Sequence, residues 1–333
     1  MKVSLITACY NSATAIRTAM ESVLSQKGVE VEYIVVDGGS TDGTVAIVEE
    51  FSHKERKDGF KFKWISETDR GMYDAINKGI AMATGDVVGI LNADDMLEGE
   101  DTLAHVVGGF NAEVQSRRDA EEQFWRRAEE KVEEKKAPRL MPLAEAVETV
   151  VHRQVAAGSN PPTGRSIADF SARGKVGTKN ISGGTERVDA VYADIRFVKD
   201  DLNTTVRYYS AKHWKPWMLQ WGKMPPHPSV YIRRELFEKY GLYKLGYDIA
   251  ADYELLIRYL RMAKLRTRYL NESLVRMRMG GKSTRGWKSF VTLNREIVRG
   301  NRENGYFCCF PMLLPKYLFK VFEFILPRLG LNK

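Results

Sequence analysis

Val31-Glu32-Tyr33-Ile34-Val35-Val36-Asp37-Gly38-Gly39-Ser40-Thr41-Asp42-Gly43 decides how this chain is read. A run dominated by Val, Ile and Tyr fits a buried strand, and it stops at an acid followed by turn formers. The same grammar recurs on both sides. Upstream, Val3 to Ala8 is a short apolar run with a β-branched bias that ends at Tyr10-Asn11-Ser12. An amphipathic helix is expected from Ser12 or Ala13 to Gln26, with Ile16, Met20, Val23 and Leu24 at helical spacing. Downstream, the pattern predicts a helix over Thr44–Phe51, a strand over Phe60–Ser66, a helix over Asp74–Thr84 and a strand over Asp86–Leu91. The last strand ends at Asn92-Ala93-Asp94-Asp95.

This alternation predicts an α/β fold, a Rossmann-like, mostly parallel sheet flanked by helices. Ligands of such sheets bind beyond the carboxyl ends of the strands. Each predicted strand ends in polar residues: Thr7, Tyr10 and Asn11, then Asp37, then Glu67, Asp69 and Arg70, then Asp94 and Asp95. Several candidate ligand groups therefore converge on one edge.

Between Asn111 and Arg187 the character changes. Glu113 to Lys136 alternates in charge like a solvent-exposed helix, Leu143 to Val155 reads as another, and Pro161-Pro162 breaks the pattern. A helical insertion over 111–187 is expected. Strand character resumes at Val188–Val198, and Arg233–Tyr240 and Asp252–Leu265 read as helices. There is no internal repeat.

With 333 residues and 44% hydrophobic residues, the chain has material for a real core, which argues against disorder. The net charge of +8 is unevenly spread: Glu254 to Lys333 holds 17 Lys and Arg against 5 acids. A basic end suits an anionic partner such as a phosphate or a lipid head group, and it equally suits a well-solvated surface. Aromatic residues accompany it, but no nucleic-acid-binding motif does. Cys9 lies in an apolar run and is expected in the core. Adjacent Cys308 and Cys309 suit neither a metal site nor an ordinary disulfide, so a reducing, cytoplasmic setting is expected. The N-terminus reads as a strand, and no run of about 18 uncharged apolar residues predicts a membrane-crossing helix. Tyr306 to Leu329 is a C-terminal amphipathic helical segment with a basic side. It suits the surface of a membrane, on the inner face of the plasma membrane, or a contact with the protein or a second copy of the chain.

Asp94 and Asp95 are the sharpest chemical signal. Paired carboxylates leaving a buried strand are costly unless something binds them, and oxygen ligands suit Mg²⁺ or Mn²⁺. Alone they could be a helix N-cap; with Asp37 ending a neighbouring strand the metal reading gains. The glycines after Asp37 do not fit the G-x-G-x-x-G spacing. A carboxylate there can accept hydrogen bonds from a base or ribose, or cap an ordinary β–α turn.

Val3 to Ser12, Ile34 to Thr44, Asp69-Arg70-Gly71-Met72-Tyr73-Asp74-Ala75-Ile76-Asn77-Lys78-Gly79, Ala83 to Asp86 and Asn92 to Asp95 together resemble the family 2 glycosyltransferases of the GT-A fold, in their bacterial exopolysaccharide, capsule and lipopolysaccharide branch. The resemblance is continuous over about the first 110 residues. It resumes at Ala190 to Ile195, Pro226-His227-Pro228-Ser229, Asp248 to Glu254 and Gly280 to Thr284. The insertion over 111–187 is longer than such enzymes usually carry there.

The resemblance implies an inverting transfer of a sugar from a nucleotide-sugar, UDP by default, to a glycan or polyprenyl-linked acceptor. Thr7, Tyr10, Asn11, Asp37, Arg70, Asp94, His227 and Lys282 would bind the nucleotide-sugar. Asp95, with Asp94, would bind Mn²⁺ or Mg²⁺, and Asp252 would be the catalytic base. His227 could instead be a hydrogen-bonded structural residue. The implied division is a nucleotide-sugar-binding half over 1–110, the insertion, an acceptor and catalytic half over 188–290, and basic amphipathic helices over 291–333. Two other functions compete: a nucleotide-sugar-binding protein without transfer, and a nucleotidyltransferase. The second would want a glycine-rich, basic phosphate loop after the first strand, and Thr7 to Ser12 is not one.

Overall fold

The computed structural model describes residues 1–54, 59–111, 187–279 and 286–317. The insertion between 112 and 186, Lys282 with its Gly-Lys-Ser-Thr loop, and the C-terminal run from 318 onward lie outside the described residues. The described residues belong to one compact unit, in which strands from before and after the insertion share a single sheet.

The strands β1 (Lys2–Cys9), β2 (Glu30–Asp37) and β3 (Phe60–Ser66) run parallel, and β4 (Val87–Ile90) joins the other side of β1, also parallel. The order is β3-β2-β1-β4, so the winding reverses between β1 and β4. Right-handed crossovers put α1 (Ile16–Leu24) and α2 (Thr44–Ser52) on one face and α3 (Met72–Met82) on the other. Burial follows the strand period of two. Ile6, Ile34 and Val36 share a core cluster with Tyr73, Ile76 and Ile80 of α3. Val3, Leu5, Tyr33 and Val35, out of phase with them, are as deeply buried but outside that cluster.

Beyond β4 the sheet continues through β8 (Tyr231–Arg233), β6 (Ala190–Val198), β9 (Thr267–Arg278) and β5 (Met96–Leu97), with β7 (Thr205–Tyr209) paired to β6. β8 is antiparallel to both β4 and β6, while β6 and β9 are parallel. The described sheet has nine strands. The helices here are α4 (Thr102–Asn111), α5 (Glu235–Tyr240), α6 (Ala251–Leu256) and α7 (Gly286–Glu303).

Several expectations change. Arg233, expected to open a helix, is the last residue of β8, and the helix starts at Glu235. The helix expected over Asp252–Leu265 is α-helical only to Leu256, then a π-turn over Ile257–Met262. β9 was not expected at all. Its twelve residues are mostly half-buried, so they carry no apolar run. The boundary expected at 290/291 falls inside α7. Among the described residues, no helix is long and apolar enough to cross a membrane.

Candidate active site

The strand register brings Cys9, Asp37 and Ser66 side by side at the carboxyl ends of β1, β2 and β3. The loop after each strand therefore opens on the same edge, and the reversal between β1 and β4 leaves a crevice there. Its first wall is a mutually braced pair of loops. Asn11, held at a left-handed φ of 48°, accepts from the Thr41 amide at 2.9 Å, and its own amide donates to Ser40 Oγ at 2.7 Å. The Ser12 and Ala13 amides donate to Thr44 Oγ1 and Asp42.

Asp37 is fully buried, and its own surroundings occupy its carboxylate. Oδ2 accepts from the amides of Gly39 and Ser40 and from Ser66 Oγ at 2.7 Å; Oδ1 accepts from Ser40 Oγ and, at 3.6 Å, from Cys9 Sγ. These donors hold its carboxyl below the usual aspartate range despite burial. Asp37 thus shapes the loop. Cys9 is a core residue as expected, and burial raises its thiol far out of the reactive range.

Thr7 departs from its expected role. It is fully buried, and its hydroxyl accepts from the Tyr33 phenol at 3.0 Å, so it belongs to the core under the edge. Tyr10, by contrast, is 61% exposed beside the crevice. Arg70 is exposed, and its guanidinium meets Asp74 at 3.1 Å in the first turn of α3.

Asn92 to Asp95 follow β4 on the other side of the crevice. Asp94 is exposed and Asp95 is 1% exposed. Asn92 Nδ2 donates to Asp95 Oδ2 at 2.8 Å; Asp95 Oδ1 is buried with no well-aligned hydrogen bond among the described residues, and the Arg278 backbone and charge act on the same carboxylate. Burial first, then the neighbouring Asp94 charge, pushes the Asp95 carboxyl up to about 8. An orphaned buried oxygen next to an exposed carboxylate is a donor set that suits a hard divalent cation. Among the described residues no group of three or more His, Cys, Asp or Glu could hold a metal by itself. Such a cation would therefore take the rest of its shell from phosphate and water, as Mg²⁺ commonly does.

The third group sits at the start of α6. Asp252 is half-buried, and burial raises its carboxyl above the ordinary aspartate value. It lies within electrostatic reach of His227, Tyr73 and Tyr243. His227 Nε2 pairs with Tyr243 Oη at 3.0 Å, and burial lowers its pKa against the opposing pull of the Asp252 charge. Tyr73 and Tyr243 stack with centroids 5.8 Å apart. His227 is thus hydrogen-bonded to Tyr243 and within electrostatic reach of Asp252. Glu254, two residues on, is fully buried and spoken for by Arg258, Lys244 and Asn304. Tyr73 lies within a motif the sequence pointed to; Tyr243 carried no signal, because only the fold brings it to Asp252.

Residues 4–146 match the family model described as Glycosyl transferase family 2. An uncharacterized glycosyltransferase of Mycobacterium tuberculosis is 39% identical over 106 residues, 32% of this chain and 38% of that protein. A PGL/p-HBAD biosynthesis glycosyltransferase of Mycobacterium bovis is 38% identical over 103 residues, 31% of this chain and 39% of its own length. The chain thus spans under two fifths of these curated relatives. Among solved structures, a mannosyltransferase of Pyrobaculum calidifontis superposes with a TM-score of 0.52 at 17% identity, covering 96% of this chain and 69% of that one. Residues 1–349 of TarS from S. aureus give 0.50 at 15%, covering 90% and 66%. At these identities the likeness is one of fold. Over residues 4–146 the chain is thus similar to family 2 glycosyltransferases, and its fold is of the GT-A kind.

Proposed function

We propose that this chain transfers a sugar from a nucleotide-sugar donor to an acceptor hydroxyl, inverting the anomeric centre in a single displacement. The observation that carries this is the pairing of exposed Asp94 with buried Asp95, whose Oδ1 has no well-aligned partner among the described residues, at the crevice between β1 and β4. Tyr10, Asn11 and Arg70 line the nucleotide side, and Asp37 keeps their loops in shape. Mn²⁺ or Mg²⁺, held by Asp95 and Asp94, would offset charge on the leaving diphosphate when bound. Asp252 takes the proton from the acceptor hydroxyl as it attacks. His227 and the stacked Tyr73 and Tyr243 stand within electrostatic reach of that carboxylate. In support, the two solved structures of like fold were obtained with GDP-Man and Mn²⁺ and with UDP-GlcNAc. We take UDP-sugars as the donor class, and a glycan or lipid-linked sugar of a cell-surface polysaccharide as the acceptor class. Lys282 would close on the donor, and the halves 1–110 and 188–290 would supply donor and acceptor sides.

The basic C-terminal side suits the inner face of a membrane. Trp287, Phe307, Phe310 and Leu314 are 75%, 70%, 43% and 53% exposed, and Trp217 and Trp221 of a neighbouring turn are 56% and 42% exposed. Phe290 links Trp287, Phe310 and Tyr317 through ring contacts. Lys288 and Arg295 are exposed on α7 as well, and aromatic and basic groups on one helix suit anionic lipid head groups. A second copy of the chain is the other occupant this face would suit.

The test is a panel of UDP-, GDP- and dTDP-sugars, read by thermal stabilisation and by release of nucleoside diphosphate, with and without Mn²⁺. Stabilisation and release by one donor with Mn²⁺ support the proposal. Stabilisation without turnover, with any acceptor tried, would point to a binding protein.

A further inference from the structure

We infer that Glu296 of α7 is a positioning residue for Asp252; the inference rests on Asp252 being the base. Glu296 is 8% exposed, and its carboxylate is filled by three consecutive backbone amides. Asp248 N–H donates to Oε1 at 2.7 Å, and Ile249 and Ala250 N–H donate to Oε2 at 2.9 and 2.8 Å. These amides come just before α6, which has no side-chain cap of its own. The acceptor is thus supplied from 46 to 48 residues further along the chain.

The same short segment is held from the opposite side. Tyr73 Oη, on α3, donates to the Ile249 carbonyl at 2.5 Å. The Ile249 residue is therefore fixed at its N–H by α7 and at its C=O by α3. Asp252 follows three residues later, at the second position of α6, with Tyr253 N–H donating to its Oδ1 at 2.8 Å. The clamp fixes the backbone from which the Asp252 side chain projects. Charge-assisted bonds to buried amides are the strong kind, so the clamp is stiff. α7 lies outside the residues that match the family model and straddles the expected start of the C-terminal segment, yet it sets the base.

Positioning and plain stabilisation differ in what they do to rate. The assay uses the full chain with Mn²⁺ and UDP-N-acetylglucosamine or GDP-mannose, with p-nitrophenyl glycosides as acceptors. Glu296→Ala is expected to lower kcat by about 100-fold, because misplacing a catalytic group by an ångström costs that much. Donor KM should stay within about twofold, since a positioning defect spares ground-state binding. Glu296→Gln keeps one acceptor oxygen and should fall between Ala and the parent. In the Asp252→Asn background, Glu296→Ala should leave the residual rate unchanged, because its effect passes through Asp252. A folded Glu296→Ala protein with the parent kcat overturns the inference. So does an equal loss in both backgrounds, and so does failure of both the Ala and Gln variants to fold. Failure of the underlying reading shows separately, as a parental rate in Asp252→Asn alone.

Discussion

The Tyr73 hydroxyl, in the first turn of α3, donates a 2.5 Å hydrogen bond to the Ile249 carbonyl, 176 residues later in the chain. That bond joins the part of the chain that carries the loops after β1 and β2 to the part that carries Asp252. Tyr73 also stacks on Tyr243, which pairs with His227. Three segments distant in sequence therefore meet at one carboxylate.

Asp252→Asn should keep donor affinity and lose transfer, by a factor of about 10² to 10⁴ for removal of a general base. Because burial raises the Asp252 carboxyl, activity in the parent should be gained as pH rises through a value above the ordinary 3.8. The kcat/KM profile of the parent, with donor binding by calorimetry for the variant, checks both. A variant that loses donor affinity and keeps its maximal rate would remove Asp252 from the base role, and Glu254, tied up by Arg258, Lys244 and Asn304, is poorly placed to replace it.

Asp95→Asn should fold and lose Mn²⁺-dependent stabilisation together with transfer. The parent carboxyl sits at about 8 when folded against 3.8 as a free side chain, so the folded state holds the proton longer. Its contribution is complete below 3.8 and fades as pH rises towards about 8. In metal-free buffer the parent Tm should therefore fall over that window, and the Asn variant should fall less. Thermal scans at several pH values, with and without Mn²⁺, measure it. Equal Mn²⁺ shifts in the two proteins would rule out Asp95 as a ligand.

Gly89→Ala is expected to destabilise by about 1–3 kcal/mol, the usual cost of overpacking a core. A Cβ there would overlap the Tyr231 ring, where β8 closes on β4. Chemical denaturation should show a lower midpoint with an unchanged slope. An unaltered midpoint would mean that the β4–β8 contact is looser than described.

Replacing Trp287, Phe310 and Trp217 with Ala should abolish flotation with anionic liposomes and leave transfer to soluble acceptors intact. High salt should weaken flotation of the parent, because charge attraction to lipid is screened within about 10 Å at 0.1 M. A parent that never floats but forms a dimer, lost in the triple variant, would assign the same face to self-association.

The early strands and helices were legible because local patterning there agrees with the tertiary fold. Apart from Glu32, which is buried against Lys63 and Ser4, Val31 to Val36 is apolar because β2 is buried on both faces, and Asp37 marks the strand end because a polar loop must follow. The carboxylates at the sheet edge could be named for the same reason. What each does was decided by the tertiary structure. Thr7 and Asp37 look alike in sequence, as polar residues at strand ends, yet one is bound to Tyr33 in the core and the other organises a loop. β8 is three residues long and β9 is half-exposed, so neither shows a periodic signal, and both exist because neighbouring strands supply their hydrogen bonds. Glu296 is the clearest case: nothing near it in sequence explains a buried carboxylate, because its three partners are amides brought to it only when α7 packs on α6.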